Sequence, residues 1–135
     1  MVTITGSYEG GLHCTAKHGP SGTELSTDAP KDNQGKGEAF SPTDLVATAL
    51  ATCVVTTMAL VARRHGVELQ GLRYEVTKEM ATHGPRKIAR LVLKLWLPTS
   101  AKSLPEKLME NTAKQCPVHL SLASDVDQVI EFYWA

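Results

Sequence analysis

The sequence predicts an α+β fold with elements in the order β3-α-β2-α2-β. Three observations carry this reading. Apolar residues alternate in the first stretch between glycine-marked turns, one long uncharged run has signals at both ends, and further alternating segments are followed by short helical spacings.

Taken in order, residues 2–9 set Val2 and Ile4 against Thr3 and Thr5, as a half-buried strand does. Gly10-Gly11 is a hairpin signal leading into a strand over residues 12–17. The cluster Gly19-Pro20-Ser21-Gly22 turns the chain again into residues 23–27. Three short antiparallel strands is the simplest account. Residues 28–40, DAPKDNQGKGEAF, form a polar loop without periodicity. Structureless loops of about a dozen residues are uncommon in compact domains and often functional, although a plain surface loop fits the same composition.

A long helix then opens. Ser41 suits the N-cap, Pro42 the first helical position, and Asp44 the first turn, where the helix dipole favours a carboxylate. Arg63, Arg64 and His65 suit the last turn, and Gly66 ends it. Between them, residues 45–62 read LVATALATCVVTTMALVA, without a charge and long enough to be weighed as a membrane span. Four threonines, many alanines and the amphipathic segments that follow favour a central helix buried on all sides in a protein outside the membrane. Residues 69–80 and 88–97 alternate around Gly84-Pro85 as a second hairpin. Ser103, Pro105 and Glu106 mark a helix start, and Leu104, Leu108 and Ala113 carry it to about Gln115. After Cys116-Pro117, residues 118–123 predict one more helix, and residues 126–134 a final strand.

At 135 residues the chain is expected to form a single domain over residues 1–135, with 42% hydrophobic and 21% charged residues. Its 14 basic and 14 acidic residues cancel, which is unlike a nucleic-acid binder and favours self-association. The three cysteines, Cys14, Cys53 and Cys116, are odd in number and widely spaced, so no secreted disulfide framework is indicated. The first residues lack the plan of a signal peptide, and the cytoplasm is the expected compartment. No phosphate-binding loop, dinucleotide fingerprint or nucleophile elbow is present, and His13, His18, His65, His83 and His119 show no metal-ligand spacing. No cofactor or metal is expected.

Each cysteine has its own local reading. Cys53 lies three turns into the long helix among Ala49, Leu50, Thr56 and Thr57, too deep for the N-terminal dipole to act on it. On spacing alone it reads as a packed core cysteine. Pro117 places Cys116 at a helix N-cap, where unsatisfied N–H groups are expected to lower a thiol pKa. An inert turn cysteine fits that position too. Cys14 reads as a strand residue, and His119 three residues past Cys116 leaves a cysteine hydrolase open on residue types.

SPTDLVATALATC at residues 41–53, followed by KQCPVHLSL at residues 114–122, resembles the paired cysteine motifs of the OsmC/Ohr family. The order of elements is similar over nearly the whole chain. The resemblance implies an OsmC-like fold as an intertwined homodimer with a buried central helix and sites near the subunit interface. It also implies a peroxidatic Cys53 that attacks an organic hydroperoxide and becomes a sulfenic acid. Cys116 would resolve that acid as a disulfide, and a dithiol reductant would restore both thiols. Active members add an arginine from an N-terminal loop and a glutamate early in the helix. Here Thr43 stands at the glutamate position with Asp44 next, and Lys17 and His18 are offered in place of the arginine. An ammonium or an imidazole lacks the planar guanidinium fork. Two functions therefore stand side by side: a thiol peroxidase, or a relative without that activity that binds a small apolar ligand or thiol metabolite at the dimer interface.

Overall fold

The alternation of the first residues becomes a three-stranded antiparallel sheet of β1 Ile4–Gly10, β2 His13–His18 and β3 Glu24–Asp28, in that order. The computed structural model describes residues 1–135. The β1–β2 turn requires left-handed backbone at Gly10, Gly11 and Leu12, with φ of 81°, 59° and 60°. Only Leu12 bears a side chain there, and its N–H is met by the Tyr8 hydroxyl at 3.3 Å. Register sets Ile4, Gly6 and Tyr8 against His18, Ala16 and Cys14, so these residues share one face with Leu25.

Residues 28–40 prove more ordered than their composition suggests. A 3₁₀ turn forms at Lys31–Asn33, and three backbone bonds cinch the neck of the loop. These run from Asp28 N–H to the Phe40 carbonyl at 3.1 Å, Gly35 N–H to Pro30 at 3.0 Å, and Gly37 N–H to Ala29 at 3.2 Å. The buried Asp28 carboxylate takes a bond from His13 Nδ1 at 2.5 Å and another from the Glu38 N–H at 2.9 Å. A side chain at Gly35 would meet the Ala29 carbonyl at 1.7 Å, so the close turn depends on glycine.

The long helix, α1, spans Pro42–Arg64 with both expected ends. Ser41 Oγ accepts from the Asp44 N–H at 3.1 Å, and Asp44 Oδ2 accepts from the Ser41 N–H at 2.9 Å. Asp44 therefore closes a reciprocal capping box as well as meeting the dipole. At the far end Gly66 is left-handed, and bonds from Gly66 to Arg63 and from Val67 to Ala62 complete a Schellman motif. In the single chain α1 buries one stripe, Ala47, Leu50, Ala51, Val54, Met58 and Ala62, while Thr52, Thr56 and Leu60 are exposed. The expectation of burial on all sides is thus met along one side of the helix. With a mean hydropathy of 2.2 over its most apolar window, α1 is long and apolar enough to cross a membrane. Its stripe instead packs with Leu91, Leu93 and Leu95 in one core.

That core belongs to a second sheet, of β4 Arg73–Met80, β5 Ile88–Trp96 and β6 Asp127–Tyr133. Strand β4 starts later than the alternation suggests, because Leu69 to Leu72 form a turn with Gly71 at φ 92°. β4 and β5 form the expected antiparallel hairpin, while β6 pairs parallel to β5. Parallel neighbours need a long crossover. It is supplied by a 3₁₀ turn at Thr99–Ser103, α2 Glu106–Ala113 and α3 Pro117–Ser121. Pro105 rather than Ser103 sits at the N-cap of α2, so that helix is shorter than its apolar spacing implied. The chain divides into two compact units, Met1–Val46 and Ala47–Ala135, and the core described here lies in the second.

A candidate cysteine redox site

Cys53 faces sideways from the buried stripe of α1 and is half-buried, packed against the core. Cys116 is fully buried at the N-cap of α3, where Pro117 starts the helix. The crossover that returns the chain from β5 to β6 carries Cys116 back to α1, and the two side chains come within hydrogen-bonding reach as free thiols. Cys14 is exposed on β2, beside Tyr8.

The two thiols differ in access and in electrostatics. The main-chain N–H of His119 donates to Cys116 Sγ at 3.2 Å, the cap that the Cys-Pro pair predicted. Yet the thiol pKa is raised, not lowered. Burial is the largest cause, because a thiolate without water is disfavoured, and the neighbouring Cys53 adds to the rise. The main-chain N–H groups of His119 and Val118 oppose this and lose. The expectation that Cys116 would be the locally activated sulfur is therefore corrected: it is held in the thiol form, out of reach of solvent. Cys53 is the sulfur of the pair that a small molecule can approach.

The remaining candidates have local partners of their own. His18 Nδ1 is 2.6 Å from the Ser21 hydroxyl in the turn after β2. Lys17 is exposed on β2 in register with Thr5 and Glu24. Thr43 Oγ1 lies 3.2 Å from Ser41 Oγ, and the Asp44 carboxylate closes the α1 cap. These four residues all belong to the first unit, whereas both cysteines belong to the second.

Residues 35–131 match the family described as OsmC-like protein. The chain belongs to the OsmC-like family. A solved structure from Psychrobacter arcticus 273-4, provisionally assigned to osmotic stress induction and detoxification response, is 40% identical with a TM-score of 0.90, covering 98% of this chain and 96% of that one. The uncharacterized protein YmaD of Bacillus subtilis (strain 168) is 29% identical over 115 residues, which is 78% of this chain and 75% of that protein. An organic hydroperoxide resistance protein OsmC from Legionella pneumophila shares the fold at a TM-score of 0.73 and 15% identity, over 98% of this chain and 96% of that one.

In this OsmC-like protein the turn that holds Cys116 is tied to β6 by residues that sequence spacing did not single out together. Gln128, on β6, donates from Nε2 to the His119 carbonyl at 3.1 Å. His119 Nδ1 and Gln128 Oε1 are both buried without a hydrogen-bond partner. The offset of His119 from Cys116 was visible in the sequence, but Gln128 joins them only because β6 lies alongside the crossover.

Proposed function

We propose that this OsmC-like protein is a thiol peroxidase that reduces organic hydroperoxides, acting as a cytoplasmic homodimer of one functional domain per chain. The observation that supports this most is the meeting of two free thiols, one accessible and one buried, from distant parts of the sequence. Membership of a family with relatives called organic hydroperoxide resistance proteins points the same way.

In this reading the Cys53 thiolate attacks the outer oxygen of ROOH. A sulfur–oxygen bond forms, the O–O bond breaks, and the alkoxide leaves as ROH once protonated. Cys53 is then a sulfenic acid. Cys116 attacks that sulfur, an S–S bond forms, and the hydroxyl leaves as water. A dithiol reductant exchanges with the disulfide and returns both thiols. Division of labour follows from access, since the buried thiol meets the oxidised partner and not the peroxide. Cys53 lies mid-helix in a mostly apolar segment, with Ala49 and Leu50 beside Thr56 and Thr57 at helical spacing, which favours an organic peroxide over hydrogen peroxide.

One observation favours the second reading. No arginine precedes Arg63, Thr43 holds the position of the family glutamate, and Asp44 is engaged in the helix cap. A member lacking that activating pair would bind a small apolar ligand or thiol metabolite without reducing peroxide. Steady-state turnover of cumene hydroperoxide with a dithiol reductant separates the two. The peroxidase reading expects turnover by the parent and only the uncatalysed background from Cys53→Ser. Equal, background-level rates for both would overturn the peroxidase reading and leave the binding reading.

A further inference from the structure

We propose that the outer face of the second sheet carries a binding site for a small planar aromatic carboxylate, built on Arg73, Trp96 and Tyr133. The three residues stand in one register row. Arg73 on β4 is opposite Trp96 on β5, and Trp96 is opposite Tyr133 on β6. Successive residues of a strand point to opposite faces of the sheet. Leu95, next to Trp96, is buried in the core with the α1 stripe, so the row leaves the sheet on the side away from that core. All three residues belong to the second unit.

Two contacts organise the row. The Trp96 and Tyr133 rings are stacked, with centroids 5.3 Å apart and planes 14° from parallel. The Arg73 guanidinium lies over the Trp96 ring at 5.7 Å from its centroid, within the range of a cation–π contact. Stacking holds a guanidinium by its flat face and leaves the N–H donors of its fork available. On the same face Lys94 lies 3.9 Å from Glu75, and Arg90 lies 3.2 Å from Asp127. Those cations each have a carboxylate. Arg73 is held in place by a ring and has no anionic partner.

An open groove of about 600 Å³ borders the row, lined by Leu72, Arg73, Tyr74, Glu75 and Trp96. It offers Leu72 and two aromatic rings to a flat apolar body, and the Arg73 fork to an anionic end. A carboxylate matches that fork through two parallel hydrogen bonds. The surrounding charges select a single negative charge. Glu75 lines the groove, and Glu131 accepts from the Tyr133 hydroxyl at 2.7 Å. A second negative charge on the ligand, as on a phosphate, would be opposed by these carboxylates. The site uses neither cysteine and does not rest on the peroxidase cycle.

The test follows the indole N–H signals of the two tryptophans in proton–nitrogen correlation spectra of the whole protein, with Trp134→Phe identifying the signal of Trp96. Adding 2-naphthoate is expected to move the Trp96 signal saturably. The uncharged naphthalene-2-carboxamide should bind the parent at least about tenfold more weakly, because a charge-assisted bidentate pair is replaced by neutral hydrogen bonds. Arg73→Gln should weaken naphthoate by about the same factor and leave the amide unchanged. 2-Naphthyl phosphate should bind no more tightly than the carboxylate. A Trp96 signal that naphthoate does not move would overturn the proposal. So would equal affinity of acid and amide for the parent, a comparison that needs no variant, or undiminished naphthoate binding by folded Arg73→Gln. Tighter binding of the phosphate would overturn the carboxylate as the ligand class.

Discussion

Cys53 and Cys116 differ in what each substitution should leave behind. In the proposed cycle Cys53→Ser removes the attacking sulfur, so no thiol should be lost on adding one equivalent of peroxide. Cys116→Ser keeps the first step and stalls at the sulfenic acid, which dimedone labelling followed by mass spectrometry should detect on Cys53 alone. The raised pKa of Cys116 has a consequence for stability. The folded state holds the proton more tightly than the unfolded chain, so this contribution is complete below the ordinary thiol pKa of about 8.5 and is lost as pH rises toward the folded value. Thermal melts between pH 7 and 10 should show a steeper alkaline decline for the parent than for Cys116→Ser. The opposite electrostatic reading came from the sequence because Cys-Pro identifies an N-cap, whereas burial depends on what packs above it. A cap is local, and desolvation is not.

At the level of elements, α1 was legible from end to end because both of its caps are written in adjacent residues. Ser41→Ala removes the acceptor for the Asp44 N–H and half of the reciprocal cap, and should destabilise by about 1 kcal/mol in chemical denaturation. Leu50→Ala, at a fully buried position of the core stripe, should cost about 2–5 kcal/mol. The loop over residues 28–40 was less legible. Its glycines and polar residues signal turns, but its order comes from the Asp28 carboxylate reaching His13 on the neighbouring strand. The bond to His13 holds the Asp28 pKa below the usual carboxylate range, so this support is present above about pH 4 and lost as pH falls through the folded value. Asp28→Asn should make residues 29–39 markedly more sensitive to limited proteolysis at neutral pH. The direction of β6 was equally hidden, since alternation identifies a strand without naming its neighbour.

For the whole molecule, two sets of apolar side chains stand exposed on the single chain. Ile4, Tyr8 and Leu25 share a face of the first sheet, while Leu60 and Leu120 project from the second unit. Family membership and balanced charge, 14 against 14, favour covering such surfaces with a second copy. Light scattering should accordingly report twice the chain mass of 14.6 kDa at micromolar concentration. The central claim is that Cys53 and Cys116 form one redox couple, and disulfide mapping tests it most directly. Reduced protein is mixed with one equivalent of cumene hydroperoxide, quenched with an alkylating agent and digested. The account predicts rapid loss of two thiols and a single new linkage joining the Cys53 and Cys116 peptides. Both thiols still alkylated after exposure, or a linkage through Cys14 instead, would contradict it.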